Sequence, residues 1–537
     1  MDQDQPALFA SRLSRRGFVS ALAAAGLSAS GIELLAGCGE PVAAGEKGGR
    51  YLALIVLDGF RPDYAHLAPM PHLQSLAARG VRYSRAWVGQ LESETPTGHA
   101  TITSGAHPRH DGIIGFEWRN PHTHREVLDG WEQGKMLGQV GRDMKHAHAL
   151  SIPLAIKQAD PSARIVALSS EKVYAADAMG AKVADYVLFH RYQGRRLAAS
   201  GMPGQNPGRS FLAQPHLQLP LPLRHFHDWD MLSTRLALSA LAEFQPKALM
   251  INLPGADFYG HKFGGPATPS VMSRVVAGLD HSIGQIVAAY RKAGLIDNTV
   301  FVVTADHGMV PNDRVVDGAE VAAAVERGDA RYLFHTGGTA KYIYLRDRGR
   351  AREVSDQMAR VPGVVGGYFR PDGQGAYELA TGVRIDPHLD AAYRYLLATF
   401  TGPNAPDVVA PYRENTIGTD LPHAYGNHGG LSWGVQHIPL VLAGPGLRRG
   451  HHSHQPARLV DVAPTVLHLL GLRLPRQDGV ILADALAEPT ERQVNSQNSL
   501  TESLRAHQDA LIRQSSQDLA QDKRSHIHPP PAVPTIP

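Results

Sequence analysis

The segment Tyr51-Leu52-Ala53-Leu54-Ile55-Val56-Leu57-Asp58-Gly59 decides the fold class. A nearly unbroken apolar run that stops at an Asp-Gly pair reads as a strand buried on both faces and ending in a tight loop. Four more runs share this character: Arg164 to Leu168, Ala248 to Leu253, Thr299 to Thr304 and Ile438 to Ala443. Helical stretches such as Asp228 to Phe244 and Ser270 to Ala293 alternate with them. The pattern predicts an α/β fold, a mainly parallel sheet flanked by helices on both faces. In such sheets ligands bind just beyond the carboxyl ends of the strands. Acidic residues stand there: Asp58 after the first run, Asp257 after the third and Asp306 after the fourth.

Outside these runs, residues from about 120 to 223 carry Pro-rich and Arg-rich loops and read as an insertion. Residues 311–424 read as an inserted α+β cap, with a strand at Lys341 to Leu345 and a helix near Ala351 to Arg360. The α/β core is then expected over 50–310 and 425–487. From 488 to 537 the chain is polar and Gln-rich and finishes His526-Ile527-His528-Pro529-Pro530-Pro531. Such a composition buries too little apolar surface to order itself, so a disordered tail is expected.

A length of 537 residues exceeds one simple core, and 43% hydrophobic with 19% charged residues suits a packed one. The net charge of +3 gives no electrostatic case for binding nucleic acid or an acidic membrane surface. Histidine is the outlier: there are 28, many beside Asp or Gly, which points towards metal chemistry.

The first 38 residues read as an address. Ser14-Arg15-Arg16-Gly17-Phe18-Val19 has the twin-arginine export pattern, and the Ala- and Leu-rich run from Ala21 to Ala36 follows it. That run is short and contains Glu33, which suits a signal h-region and not a membrane span. Leu35-Ala36-Gly37-Cys38 resembles the lipobox of bacterial lipoproteins, and Cys38 is the only cysteine. A mature protein beginning at a lipid-bearing Cys38, held on the membrane in the cell envelope or periplasm, is therefore expected. No intramolecular disulfide is available to it.

The chemistry gathers in five segments. They are Val56-Leu57-Asp58-Gly59, Glu94-Thr95-Pro96-Thr97-Gly98-His99, Asp257-Phe258-Tyr259-Gly260-His261, Asp306-His307-Gly308 and Gly426-Asn427-His428-Gly429-Gly430. Carboxylate oxygen and imidazole nitrogen are the ligands of catalytic zinc sites, which keep a position open for substrate. Two such sites ~4 Å apart clamp the attacking and leaving oxygens of an in-line displacement. Each segment alone is weak, since an Asp-Gly after a strand is usually a turn. Their recurrence at successive strand ends carries the reading.

This set resembles the alkaline phosphatase superfamily, and within it the nucleotide pyrophosphatase/phosphodiesterase branch. Thr95 to Ile114 (TPTGHATITSGAHPRHDGII), Asp306-His307-Gly308, His428 in its Gly-Asn-His-Gly-Gly, and Asp461 to Leu472 (DVAPTVLHLLGL) carry the likeness, which spans roughly Tyr51 to Leu474. The resemblance implies a hydrolase of phosphate esters with two divalent metal ions, zinc by ligand type. One ion would be held by Asp58, Asp306, His307 and the Thr95 oxygen, the other by Asp257, His261 and His428. Aligning Gly98-His99 and Ser104-Gly105 with the family makes Thr95 the nucleophile, passing through a phosphothreonine. Thr97 is then a neighbour at the start of a helix, and His99 a structural support.

Two departures bear on substrate. Many relatives carry a phosphate-contacting Asn where this chain has Phe116, with Asn120 close by as a substitute. Some phosphomonoesterase relatives carry a Lys-x-Arg pair where this chain has Lys172 and Tyr174. Lys172 reads either as a substrate contact or as a surface lysine. The incomplete pair favours a small-molecule diester or pyrophosphate substrate; a phosphomonoesterase and a phosphonate hydrolase are the alternatives. A sulfatase needs a Cys or Ser in a segment this chain lacks. A non-catalytic metal-stabilised envelope protein is disfavoured because all seven ligand positions are intact.

Changing Cys38 to Ala is expected to release a soluble protein or block processing, read by fractionating cells. A variant that stays with the membranes as the parent does contradicts the anchor. Replacing Arg15 and Arg16 together by Lys should leave the protein in the cytoplasm.

Overall fold

In the computed structural model, which describes residues 49–522 apart from 120–125, 129–136, 224, 329–331, 337, 374 and 419–424, the first apolar run is strand β1 (Tyr51–Leu57). Its residues Leu52 to Leu57 have no exposed surface. Cys38, the twin-arginine segment and Asn120 lie outside the described residues. Nine further strands join β1 in one sheet: β2 (Gly80–Trp87), β3 (Ile165–Ser169), β4 (Tyr186–Gln193), β5 (Arg196–Gly201), β6 (Gln218–Pro220), β7 (Ala248–Leu253), β8 (Thr299–Thr304), β9 (Leu440–Ala443) and β10 (His451–Arg458). Their order is β10-β2-β9-β8-β1-β7-β3-β4-β5-β6.

The centre of the sheet, β8-β1-β7-β3-β4, is parallel. Strand β9 runs against both of its neighbours, β10 pairs parallel with β2, and β4-β5-β6 is an antiparallel meander. The sheet is therefore mixed and mostly parallel where its strands are wholly apolar. Helices flank it, as the alternation of strand and helix predicts. One of them, Pro269–Lys292, buries Met272, Val275, Val276, Leu279, Ile283 and Ile286 along a single stripe, the spacing that packs a helix on a sheet.

The register sets the ends side by side. Val56 pairs with Thr304, Leu57 with Leu253, and Ser169 with Asn252. The residues that follow each strand thus emerge on one edge: Asp58 after β1, Asp257 after β7, Asp306 after β8 and Lys172 after β3.

Residues 311–424 contain a five-stranded antiparallel sheet in the order Tyr332–Thr336, Ala340–Leu345, Val408–Pro411, Tyr368–Phe369 and Glu378–Leu379. Alternate residues of its second strand, Ala340–Leu345, face different layers. Ile343 and Leu345 pack with Val321, Ala324, Val354 and Met358, whereas Tyr342 and Tyr344 pack with Leu389, Tyr393 and Leu396. Arg119 ties this sheet to the core, its guanidinium lying 2.8 and 3.0 Å from the two oxygens of buried Asp407.

The expectation of a disordered tail is corrected over residues 491–522, which form a 32-residue helix, Glu491–Asp522. Its apolar seam is thin: Leu500, Leu504, Ala510 and Leu511 join one cluster with Trp87 of β2 and with Leu389, Tyr393 and Leu396 of the cap. Polar side chains do the remainder. Arg85 pairs with Asp509, Gln508 donates to the Arg85 carbonyl at 2.9 Å, and Asp518 accepts from the Glu414 amide at 3.0 Å and from Arg413 at 3.3 Å. A helix held by side-chain hydrogen bonds to two bodies has too few apolar positions to show in composition.

Asp518 is 1% exposed, so Asp518→Ala strands a buried amide and should cost about 1–3 kcal/mol. A fall of a few degrees in the thermal midpoint is expected; an unchanged midpoint contradicts the clasp.

Candidate active site

Thr95 opens the helix Thr95–Ser104, whose every residue is buried. Pro96 at the first turn suits a helix start because its missing N–H would have no partner there. A side chain on Gly98 would meet the Asp306 carbonyl at 2.6 Å, so only glycine lets this helix lie against the Asp306 loop. The Thr95 hydroxyl consequently sits among the strand-end groups, 3.2 Å from His307 Nε2, 3.3 Å from Lys172 Nζ and 3.5 Å from Asp58 Oδ1. The Thr97 hydroxyl is buried and reaches none of them.

Three imidazoles are set in the same way. His261 Nδ1 lies 2.8 Å from the Gly426 carbonyl, His307 Nδ1 2.8 Å from the Gly308 carbonyl, and His428 Nδ1 3.1 Å from the Ser93 carbonyl. A carbonyl only accepts, so each Nδ1 carries the proton and each Nε2 is left as a lone pair. The Nε2 atoms of His261 and His428 are 3.1 Å apart and lie 3.4 and 3.2 Å from Asp257 Oδ1. Lone pairs cannot bond one another. Ligand atoms at 2.0–2.1 Å around a tetrahedral zinc stand about 3.3 Å apart, the spacing seen here. His307 Nε2 is 3.4 Å from Asp306 Oδ2, 3.6 Å from Asp58 Oδ1 and 3.9 Å from Asp257 Oδ1, so it stands between the two sets of donors.

Asp257 Oδ1 and Asp306 Oδ2 are buried and accept no hydrogen bond. Their other oxygens are engaged: Asp306 Oδ1 accepts from the Gly59 and His307 amides, and Asp257 Oδ2 from Lys172 at 2.5 Å. Among the described residues, two donor groups are compact enough for a cation, Asp257 with His307 and His428, and Asp58 with His99 and Asp306. His99 has no nitrogen to spare in the second. Its Nδ1 bonds the Thr95 carbonyl at 2.8 Å and its Nε2 faces the Asn252 amide at 3.0 Å.

Charge gives the same answer. Asp58, Asp257 and Asp306 are at most 2% exposed, and among the described residues Lys172 is the one ammonium bonded to them. Burial, followed by the Asp306 charge, pushes the Asp58 carboxyl up to about 6. Burial would also raise Asp257, but the Lys172 ammonium holds it well below the usual carboxylate range. Burial lowers His428 to about 3, keeping its imidazole neutral and fit to ligate. Three carboxylates facing one ammonium leave a buried negative excess that divalent cations would neutralise. The donor set fits two such ions, with Asp257, His261 and His428 around one and Asp58, Asp306 and the Thr95 oxygen around the other; His307, expected on the second, lies within reach of both and is grouped by distance with Asp257 and His428.

Lys172 is 3% exposed and bonds Asp58 Oδ1 at 2.9 Å, which excludes the surface reading. Beside it, Phe116 and Tyr174 meet edge to face with ring centroids 5.0 Å apart. Two residues escaped sequence reasoning. Asn252 donates to Asp58 Oδ2 at 2.7 Å and accepts from Ser169 at 2.9 Å; its signal was a lone polar residue in the apolar run of β7. Glu94, next to Thr95, is pushed up to about 7 by burial, and its Oε2 accepts from the Phe116 amide at 3.2 Å. Other histidines go elsewhere: His107 and His110 pack near Asp478, and the His452 ring meets His454 at a tilt.

The solved structure of the alkaline phosphatase PafA shares this fold with a TM-score of 0.66 at 14% identity, covering 82% of this chain and all of that one. Murine ectonucleotide pyrophosphatase/phosphodiesterase 5, solved as an inactive variant with AMP, has a TM-score of 0.56 at 19% identity, again over 82% of this chain and all of that one. Among sequences, the alkaline phosphatase PhoD of Zymomonas mobilis is 24% identical over 52% of this chain and 57% of its own length. PhoK of a Sphingomonas species is 25% identical over 44% and 50%, so this chain spans about half of these two relatives. The mouse bis(5'-adenosyl)-triphosphatase enpp4 is 22% identical over 80% of this chain and 79% of its own length. The family model for type I phosphodiesterase / nucleotide pyrophosphatase matches residues 52–429. With that match running from β1 past the last candidate ligand, the chain belongs to the type I phosphodiesterase / nucleotide pyrophosphatase family, hydrolases of phosphoric esters.

Proposed function

We propose that this protein cleaves phosphodiester or pyrophosphate bonds of a small-molecule phosphate ester, with Thr95 as nucleophile and two zinc ions as cofactors. The observation that carries the reading is the Thr95 hydroxyl, within 3.5 Å of Asp58, His307 and Lys172 at once. Bound zinc supplies Lewis acidity, which lowers the pKa of a hydroxyl and polarises phosphoryl oxygens. The chain's own groups do the rest. Thr95 Oγ1 attacks phosphorus in line, the leaving oxygen departs, and a phosphothreonine forms that water then hydrolyses. Lys172 holds an unesterified oxygen, and the first-turn amides of the Thr95 helix offer a second anion contact. Asn252 and His99 hold Asp58 and the Thr95 backbone in place.

The choice of a diester rests on Phe116 and Tyr174. A monoester dianion presents three unesterified oxygens that each want a donor. A phenyl ring and one uncharged phenol hydroxyl, where some relatives carry an amide and a guanidinium, offer the third fewer donors and suit an esterified one. Export and a lipid on Cys38, motivated by the leading sequence, are part of the same proposal.

Thr95→Ala should keep its fold and much of its metal but lose roughly three or more orders of magnitude in turnover of a chromogenic diester. Thr95→Ser should keep part of the rate, and Thr97→Ala should be milder. Phosphate mapped to Thr97 in acid-trapped enzyme, or a Thr95→Ala enzyme as fast as the parent, overturns the assignment.

The purified protein should hold about two metal ions per chain. His261→Ala and Asp306→Ala should each lose metal together with activity, read by elemental analysis beside the assay. Full occupancy with full activity in either variant removes that residue from the ligand set.

A further inference from the structure

Where the inserted cap meets the rest of the chain, three guanidiniums gather around one carboxylate. Arg119 comes from the strand Glu117–Arg119, ahead of the cap. Arg348, Arg370 and Asp407 belong to the cap itself. Asp407 has no exposed surface, and both of its oxygens are taken. Oδ1 accepts from Arg119 at 3.0 Å and lies 3.4 Å from Arg348 Nε. Oδ2 accepts from Arg119 and from the Leu345 amide, each at 2.8 Å. Arg370 meets Asp407 through the backbone, its amide donating to the Asp407 carbonyl at 3.0 Å. Its guanidinium donates to the Gly402 carbonyl at 3.0 Å and lies 5.9 Å from the centre of the Tyr377 ring.

Three observations point to an anion as the ligand of this cluster. The first is charge. Among the described residues, Asp407 is the one carboxylate paired with these arginines, and a guanidinium stays protonated at any working pH. Two positive charges are left over, which is the charge that a phosphate dianion offsets. The second is the state of two donors. Arg119 and Arg370 are 2% and 6% exposed, and the Nε of each is buried without an acceptor, a costly arrangement for a charged group. The third is access. The Arg348 side chain is 32% exposed, so the cluster opens to solvent on its side. A side chain on Gly373 would run into Arg348, so glycine lets Arg348 lie against the turn that follows Arg370. Burial, and then repulsion by Arg119 and Arg370, lowers the Arg348 guanidinium, as expected of like charges held together.

We infer that Arg119, Arg348 and Arg370 form a second anion site, apart from the carboxylate cluster, that takes a phosphate dianion or the phosphoryl group of a small ester. Guanidiniums suit this ligand, because their planar forks match tetrahedral oxyanions and are weakly hydrated. A phosphoryl group held there bridges Arg119 to the two arginines of the cap, so binding tightens the joint.

The test is calorimetric titration of inorganic phosphate into the zinc-loaded protein freed of excess metal. The parent should take up about one equivalent beyond any held at the carboxylate cluster. Arg348→Gln, at a half-exposed position where folding is not at stake, should bind that equivalent roughly ten-fold or more weakly. Arg348→Lys keeps the charge without the fork and should fall between the two. Methylphosphonate, with one oxygen replaced by carbon, separates the sources. Binding equal to that of phosphate assigns the site to an ester's phosphoryl group, a preference for phosphate assigns it to the free ion, and both support the site. Anomalous diffraction from parent crystals soaked in tungstate, a heavy tetrahedral dianion, needs no variant and should place a peak among the three guanidiniums. Identical phosphate isotherms for the parent and Arg348→Gln, or tungsten confined to the carboxylate cluster, overturn the inference and leave the arginines as a structural joint only.

Discussion

Three aspartates driven into one dry space by the ends of three parallel strands are the constraint on which the rest of this structure depends. β1, β7 and β8 are buried on both faces, so their register cannot slip without exposing whole rows of apolar side chains. That rigidity fixes where Asp58, Asp257 and Asp306 must emerge. Concentrated negative charge away from water is costly, and the surroundings are organised to offset it. Lys172 stands between Asp58 and Asp257, Asn252 bonds Asp58, and backbone amides take Asp306. Among the described residues, Asp257 Oδ1 and Asp306 Oδ2 accept no hydrogen bond, and the Nε2 lone pairs of His261 and His428 face each other, a donor set suited to cations.

The same arrangement explains why the nucleophile is a buried threonine at a helix start. The helix approaches the Asp306 loop so closely that only Gly98 fits, and its first hydroxyl then falls among the donors. The C-terminal helix extends this logic to the cap. It bonds Arg85 of β2 and, through Asp518, the Glu414 amide. Glu414 in turn accepts from the Gly434 amide, and Val435 accepts from the Gly308 amide beside His307. Cap, clasp and ligand loop are thus one chain of hydrogen bonds.

Much of this was legible in the sequence because burial on both faces leaves an unmistakable apolar run. Tyr51 to Leu57 and Thr299 to Thr304 fold as read, and the acidic residues that follow them converge. β10 was not legible: His451–Arg458 is polar and sits at a sheet edge, where one face and one rim meet water. Ile438 to Ala443 read as a strand but not as one opposed to its neighbours, since direction leaves no trace in composition. Lys172 could not be told from a surface lysine, because its partners lie 114 and 85 residues away in the chain. The helix Glu491–Asp522 was missed for a related reason: its stabilising partners belong to β2 and the cap, not to its own periodicity.

The central claim is that the strand-end donors hold two metal ions, one of them on the Thr95 oxygen. Anomalous diffraction from zinc-loaded crystals tests it most directly. Two peaks are predicted, one among Asp257, His261 and His428, the other among Asp58, Asp306 and Thr95 Oγ1. A single peak, or a pair of which neither touches Thr95, would contradict the account.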